Sequence, residues 1–246
     1  MASALVIGST GKTGSHILST LLSLPPSQVS SVQTISRRLP PQASEKSSST
    51  TTKLNAHIEK DTSKWESLIP SLSPIPQIVY SALATTRGDA GGFDKQYLID
   101  HDLNVDLAKK VKEAGVQTYV LISAGGADAT SVFGYQKMKG ETERDIQALE
   151  FQHTVFVRPG LITGRREGSR PAETALKWIA DGLGYVSGGL LKDGWAQDGD
   201  VIGRAAVRAG LKAQRGEYKD KVHIVQMKEI LELGRQPLTE LEKSTL

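Results

Sequence analysis

Short apolar runs alternate with longer amphipathic stretches along this 246-residue chain. Seven of the short runs are mostly β-branched or aliphatic, which is typical of strands buried on both faces of a parallel sheet. The alternation predicts repeated β-α-β units and therefore an α/β fold, a doubly wound parallel sheet of about seven strands. The predicted strands are Ala4–Ile7, Val32–Ser36, Leu54–Ile58, Ile78–Ala82, Thr118–Ile122, Thr154–Val157 and Val222–Val225.

Four longer stretches place apolar side chains at helical spacing. The first, Thr13–Leu24, ends before Pro25, which cannot continue a helix. The second, Asp94–Ala114, ends before Gly115, a residue type that favours the position after a helix. The other two predicted helices are Tyr135–Leu149 and Asp200–Ala213. By contrast, residues 39–53 contain the uninterrupted Ser/Thr run Ser47–Thr52 and no apolar period, which predicts a flexible surface loop.

Composition excludes several classes of function. The chain has no cysteine, which removes disulfides, thiolate nucleophiles and cysteine-based metal sites. Its five histidines are widely separated, and we predict no metal site. The net charge is only +3 with no block of basic residues, so we expect no nucleic-acid partner. No apolar run approaches the roughly eighteen residues that cross a bilayer. Because the first predicted strand begins about four residues from Met1, we expect no cleavable presequence.

A glycine-rich loop connects the first predicted strand to the first predicted helix. It reads Gly8-Ser9-Thr10-Gly11-Lys12-Thr13-Gly14, a GxxGxxG pattern. Glycines there allow a tight turn and a close approach of backbone to a pyrophosphate, and the helix N-terminus attracts the negative charge. A nucleotide triphosphatase loop would need a glycine where Val6 stands, so that interpretation fails. The loop predicts a bound dinucleotide; a glycine-rich turn that binds nothing is the alternative.

Arg37 and Arg38 follow the second predicted strand, where dinucleotide-binding folds meet the adenosine ribose. Guanidinium groups donate paired hydrogen bonds to phosphate oxygens, so the two arginines suit the 2′-phosphate of NADP(H). Solvated surface arginines are the alternative. Asp61, after the third strand, either caps a helix that begins near Ser63 or accepts from the adenine amino group, and we favour capping.

Three residues predict a catalytic set for carbonyl reduction. Tyr135 and Lys139 are four apart on a predicted helix and therefore share a face, and Ser123 follows the fifth strand at the ligand-binding edge of the sheet. A carbonyl that receives hydride must be polarised and then protonated. Tyr135 would give the proton, helped by the Lys139 ammonium, which would also hold a ribose hydroxyl, and Ser123 would hydrogen-bond the carbonyl oxygen. We interpret Asn104 as a surface polar residue, the alternative being a water-mediated link to the lysine.

Several stretches together resemble the short-chain dehydrogenase/reductases, in particular the atypical branch that includes the Tat-interacting protein and fungal mitochondrial proteins of the FMP type. The resemblance implies a Rossmann-type NADP-binding fold with Ser123, Tyr135 and Lys139 as its catalytic set. It also implies peripheral association with the mitochondrial outer membrane; without it we would expect the cytoplasm. The stretches that carry it are Gly8–Gly14, Ala84–Gly88, Ile122–Asp128, Tyr135–Lys139, Val157–Gly160 and Ser169–Glu173.

The same resemblance implies further residues that line the cofactor, after the fourth and sixth strands. It leaves residues 163–199 as a small substrate-side lobe of one domain spanning residues 1–246. Trp178, Tyr185 and Trp195 in this lobe would close on an apolar substrate or pack against the sheet. The predicted cofactor-binding set is Gly8, Ser9, Thr10, Gly11, Lys12, Thr13, Gly14, Arg37, Arg38, Asp61, Leu83, Ala84, Thr85, Tyr135, Lys139, Pro159, Gly160, Leu161 and Ile162.

From the sequence we expect an NADPH-dependent oxidoreductase that reduces a small carbonyl compound. Two alternatives stay open at this point. One is an NADPH-binding regulatory protein with little or no turnover, since this branch often keeps the cofactor site. The other is a non-redox isomerase or cyclase that uses the same tyrosine and lysine as acid and base.

Overall fold

A parallel sheet of seven strands organises the computed structural model, which describes residues 1–44, 52–163 and 196–237. The strands in chain order are β1 (Ala2–Ile7), β2 (Val29–Ser36), β3 (Lys53–Ile58), β4 (Ile78–Ser81), β5 (Thr118–Ile122), β6 (His153–Val157), β7 (Leu161–Thr163), β8 (Ala196–Asp198) and β9 (Val222–Val225). Seven of them pair in the order β3-β2-β1-β4-β5-β6-β9, while β7 and β8 form a separate parallel pair. This is the predicted doubly wound Rossmann-type order, and the fold prediction is confirmed.

The strand order reverses beside β1. In register, Ala4 pairs with Val32 of β2 on one side and with Ile78 of β4 on the other. The chain runs outward from β1 through β2 to β3 and then returns to place β4 on the opposite side. In sheets of this kind, ligands bind outside the carboxyl ends of the strands at such a reversal. The glycine loop after β1 lies at this point.

Helices cover both faces of the sheet. In chain order they are α1 (Lys12–Ser23), α2 (Trp65–Leu68), α3 (Arg87–Ala90), α4 (Phe93–Tyr97), α5 (Leu103–Glu113), α6 (Gly134–Gln147), α7 (Gly199–Gln214) and α8 (Met227–Arg235). Short 3-10 turns lie at Pro41–Ser44, Thr62–Lys64 and Ile69–Ser71, and a π-helical segment at Leu98–Asp102 joins α4 to α5.

Two apolar cores lie on opposite faces of the sheet. Alternate residues of β1 serve both, because successive strand side chains point to opposite sides. Ala4 and Val6 pack with α1, α7 and α8, whereas Leu5 and Ile7 pack with α2, α5 and α6. Burial on both faces explains why the strands are continuous apolar runs.

All seven predicted strands are present, and the four predicted helices are present with one correction. The predicted helix Asp94–Ala114 is interrupted by the π segment, where the side-chain amide of Asn104 donates to the carbonyls of Ile99 (3.3 Å) and Asp100 (3.1 Å). A side chain that bonds into the helical ladder displaces the regular pattern. Residues 45–51 of the predicted loop 39–53 lie outside the described residues; at its ends, Pro41–Ser44 is a 3-10 turn and β3 begins at Lys53.

The helix α8 was not predicted, although its apolar residues Met227, Ile230, Leu231 and Leu233 recur at helical spacing; Ile230 and Leu233 are its large buried side chains. The predicted lobe, with Trp178, Tyr185 and Trp195, lies mostly outside the described residues. Its two ends are described, as β7 and as β8 followed by the start of α7. The lobe therefore stays a prediction.

Candidate active site

The glycine loop forms a tight backbone cradle between β1 and α1. Gly8 has a φ of +80°, in the region that favours glycine, and its carbonyl accepts the Gly11 N–H at 3.0 Å. A Cβ on Gly14 would lie 2.2 Å from the Gly8 oxygen, and one on Gly8 would lie 2.9 Å from the Ala82 oxygen. Side chains are thus excluded where a dinucleotide pyrophosphate would approach the helix N-terminus, and the cradle fits that group.

Arg37 and Arg38 are both exposed just after β2. The Arg38 guanidinium donates to the Thr10 carbonyl at 3.5 Å and so reaches the glycine loop. The structure therefore brings one of the two predicted arginines to the predicted pyrophosphate site. Their role toward a 2′-phosphate stays a prediction.

Asp61 caps the short 3-10 turn that starts at Thr62. Its carboxylate accepts the Ser63 N–H at 3.1 Å and the Ser63 hydroxyl at 2.7 Å. These donors hold the pKa of Asp61 below its ordinary value. The favoured capping contact is present, and a contact with adenine stays a prediction.

The loop after β4, which includes Leu83, Ala84 and Thr85, is held by buried polar side chains of the helical span behind it. The Asn104 amide donates to the Leu83 carbonyl at 3.0 Å, and the Thr85 N–H donates to the Asp100 carboxylate at 2.7 Å. Asn104 is 1% exposed, and its oxygen accepts the Ser81 hydroxyl at 2.6 Å. The surface interpretation of Asn104 was therefore wrong.

Lys139 and Asp100 form a buried ion pair at the same edge of the sheet. The Lys139 ammonium lies 3.3 Å from the second carboxylate oxygen of Asp100, and the two residues are 2% and 1% exposed. Burial raises the pKa of the Asp100 carboxyl above its ordinary value, with the Lys139 charge acting in the opposite direction. Sequence reasoning identified the lysine and missed its counterion. The predicted helix Asp94–Ala114 contains five acidic residues, so its sequence gave no signal that singled out Asp100.

Ser123 and Tyr135 complete the predicted catalytic set. Ser123 follows β5, where its N–H donates to the Val157 carbonyl at 2.8 Å. Its hydroxyl is buried and has no hydrogen-bond partner among the residues that the structure describes. Tyr135 lies in the first turn of α6, one turn before Lys139, and is 46% exposed. A buried hydroxyl without a partner is suited to bind a polar group of a ligand.

The segments after β5 and β6 hold each other at this edge. The Gly125 N–H donates to the Pro159 carbonyl at 2.7 Å, and a Cβ on Gly125 would lie 3.1 Å from the same oxygen. The Gly160 N–H donates to the buried Gln197 amide oxygen at 3.4 Å. Pro159 and Gly160 are thereby held against the segment that follows Ser123, and the predicted residues Leu161 and Ile162 lie in β7, outside the seven-stranded sheet.

A surface cavity of about 740 Å³ lies elsewhere, on the outer side of α6. The pair Glu143 and Arg158 lines it, with guanidinium–carboxylate contacts of 3.0 Å and 2.5 Å. Glu143 raises the pKa of Arg158. None of the predicted site residues lines this cavity. The Glu143 carboxylate and the Arg158 guanidinium hydrogen-bond each other. We therefore place the candidate active site at the carboxyl edge of the sheet instead.

Within the described part of the chain, no cluster of three His, Asp or Glu side chains has a metal-binding arrangement. No helix there is both long enough and apolar enough to cross a membrane.

Comparison with known proteins gives a consistent result. Residues 8–177 match the family described as NAD(P)H-binding. The chain is 51% identical over 237 residues to "Protein fmp52, mitochondrial" of Aspergillus clavatus, covering 95% of this chain and 99% of that protein. It is 46% identical over 239 residues to "Protein fmp-52, mitochondrial" of Neurospora crassa, covering 95% and 96%.

Solved structures confirm the fold. The UDP-glucuronic acid 4-epimerase of Bacillus cereus in complex with NAD aligns with a TM-score of 0.60 at 17% identity, covering 91% of this chain and 77% of that one. The UDP-Glc/GlcNAc 4-epimerase of Campylobacter jejuni aligns with a TM-score of 0.62 at 14% identity, covering 94% and 82%. Identities this low show the shared fold alone.

Proposed function

We propose that this chain is an NADPH-dependent oxidoreductase that reduces a small carbonyl compound. The chain belongs to the NAD(P)H-binding family and is a relative of the fungal fmp52 proteins. The observation that carries the proposal is the set of polar groups at the carboxyl edge of the sheet. The Ser123 hydroxyl is buried without a partner, and Tyr135 lies one turn before the buried, charged Lys139. This set lies at the same sheet edge as the glycine cradle.

The cofactor would be held along that edge. The glycine loop and the N-terminus of α1 would receive the pyrophosphate, and Arg37 with Arg38 would receive the 2′-phosphate. The segments at 83–85 and 159–162 would line the remainder. When bound, the cofactor supplies the hydride that adds to the substrate carbonyl carbon.

The side chains supply the rest of the chemistry. Ser123 donates a hydrogen bond to the carbonyl oxygen as negative charge develops there. Tyr135 transfers its phenolic proton to that oxygen, and the product is an alcohol. Lys139 contributes positive charge that favours the resulting phenolate, and donates to a ribose hydroxyl.

The test is a paired measurement of NADPH binding and NADPH oxidation across a panel of carbonyl compounds. Tyr135→Phe removes only the hydroxyl, so affinity should stay within a few-fold while turnover falls by on the order of 100-fold or more. Tyr97→Phe is a matched control, because its hydroxyl donates to Glu141 at 3.1 Å and takes no part in the proposed set. Normal turnover of Tyr135→Phe would refute the mechanism, and wild-type protein that binds NADPH but oxidises it with no compound would favour the regulatory alternative.

The cellular site that we propose is the mitochondrial outer membrane, where peripheral contacts hold the protein. The names of the fungal relatives include "mitochondrial", and no described helix is suited to cross a bilayer. Carbonate extraction of isolated mitochondria should release the protein. Retention in the membrane pellet would contradict peripheral attachment.

A further inference from the structure

The ion pair between Lys139 and Asp100 is buried at the sheet edge where the cofactor is proposed to bind. Lys139 is 2% exposed, so a counterion or strong acceptors must replace the water that would otherwise solvate its ammonium group. Asp100 provides that counterion, 3.3 Å away and itself 1% exposed. Neither partner can exchange this contact for water without local unfolding.

Asp100 is also attached to the loop that is expected to line the cofactor. Its other carboxylate oxygen accepts the Thr85 N–H at 2.7 Å, and the Gln96 amide donates to the Thr85 carbonyl at 3.1 Å. The backbone carbonyl of Asp100 accepts from the Thr142 hydroxyl at 3.4 Å, on the same helix as Lys139. One side chain therefore connects the loop after β4 with α6.

Other charged groups on the elements packed around Lys139 are paired with different partners. Glu143, one turn further along α6, pairs with Arg158, and Asp145 pairs with His101 at 3.0 Å. The remaining neighbouring acidic groups are Glu141, which accepts from Tyr97, and Asp102, which contacts His101 at 2.7 Å. Among the described residues, Asp100 is the carboxylate in ion-pair contact with Lys139.

We propose that Asp100 is a positioning residue of the active site, which pairs with Lys139 and aligns it with the cofactor-lining loop so that Lys139 can hold the ribose. The inference rests on the proposed dinucleotide site, and it holds whether or not the protein turns a substrate over. Asp100 itself touches neither the reacting carbonyl nor, in this proposal, the cofactor. It acts through Lys139 and Thr85.

The first test is the pH dependence of dinucleotide affinity in Asp100→Asn, measured by calorimetry with NADPH and, in parallel, NADH. The amide keeps an acceptor for Thr85 but removes the negative charge beside Lys139, and burial disfavours an ammonium that has no counterion. Between about pH 7 and about pH 9 the affinity of the variant should fall about tenfold more than that of the wild type. Asp102→Asn is the matched control, because that carboxylate is 43% exposed and pairs with His101. Equal pH dependence in all three proteins would overturn the proposal, because a purely structural role would not make affinity depend on pH.

The second test is a double-mutant cycle on stability, which needs no ligand. Asp100→Asn and Lys139→Met each leave one buried charge unpaired, so each should lower the denaturant midpoint strongly. The double variant should be markedly more stable than the sum of the two losses predicts. If Asp100→Asn does not fold, the double variant should restore folding. Additive losses of stability, or a double variant that fails to fold as the single variant does, would show that the ion pair is not the basis of the inference.

The two proposals fail separately. A wild-type protein that binds NADPH without oxidising it, together with the altered pH dependence in Asp100→Asn, would remove the reductase and leave the role of Asp100 intact. Normal turnover of a carbonyl compound, with no effect of Asp100→Asn on the pH dependence of affinity and no coupling in the double-mutant cycle, would keep the reductase and remove the role of Asp100.

Discussion

Gly14 packs against Gly8 so closely that a Cβ on Gly14 would lie 2.2 Å from the Gly8 carbonyl oxygen. The contact joins the first turn of α1 to the end of β1 and sets the width of the proposed phosphate cradle. A Cβ on Gly11, between them, would lie 3.3 Å from the same oxygen, a contact that a shift of a few tenths of an ångström relieves, and its φ of −80° is one that any residue can adopt.

Gly14→Ala should therefore abolish dinucleotide binding and destabilise the fold, because backbone must move to admit the methyl group. Gly11→Ala should fold with nearly wild-type stability and keep measurable binding. Calorimetry and thermal unfolding of the two variants make the comparison. Equal behaviour of the two alanine variants would show that the close approach of helix and strand does not define the site.

Replacing both arginines after β2 should change cofactor preference. The wild type should bind NADPH more tightly than NADH, and the Arg37→Ala/Arg38→Ala variant should lose about tenfold or more in NADPH affinity with little change for NADH. The preference should shrink at higher salt, because both guanidinium groups are exposed and screened. If the double variant still prefers NADPH over NADH, residues other than Arg37 and Arg38 must bind the 2′-phosphate.

Arg208 should be a strong determinant of stability. This arginine of α7 is buried, and its guanidinium donates to the carbonyls of Leu233 at 2.6 Å and Pro237 at 2.5 Å, which ties down the end of α8. Arg208→Leu leaves those carbonyls without their donor and should cost about 2–4 kcal/mol of unfolding free energy. Arg215→Leu, which breaks an exposed pair with Glu217, should cost under about 1 kcal/mol. Urea denaturation of both variants measures the difference, and similar losses would contradict the assigned role of Arg208.

Stability should fall at alkaline pH because several tyrosines are buried. Burial raises the pKa of Tyr80, Tyr119 and Tyr218, and burial together with Glu141 raises the pKa of Tyr97 to about 12. A raised folded-state pKa means that this stability is fully present below the unfolded value of about 10 and is lost as pH rises toward about 12. The urea midpoint should thus be steady near about pH 8 and decline above about pH 10.

Tyr97→Phe isolates one contribution to that decline. Its midpoint should depend less steeply on pH between about 10 and 12 than that of the wild type, since the variant has no phenol to ionise there. The same slope in both proteins would show that Tyr97 does not contribute.

Local pattern was sufficient to predict the framework and one side of the site. The strands were readable because burial on both faces demands continuous apolar runs, as in Val120 and its neighbours in β5. The glycine loop could be predicted because a tight turn requires glycine at particular backbone positions, and Gly8 and Gly14 occupy such positions within a few residues of each other. Lys139 was readable because helical spacing alone places it one turn from Tyr135.

What the sequence by itself determined was therefore the order of strands and helices, the phosphate loop and the identities of the proposed catalytic side chains, since each depends on residues close together in the chain. Only the tertiary structure decided that Asn104 is buried, that the helix before it contains a π segment, and that Asp100 is the counterion of Lys139. Whether a polar side chain in an amphipathic helix faces water or a buried partner depends on what packs against it. For Asp100 that partner lies on another helix, and no periodicity within a single element can indicate a contact of this kind.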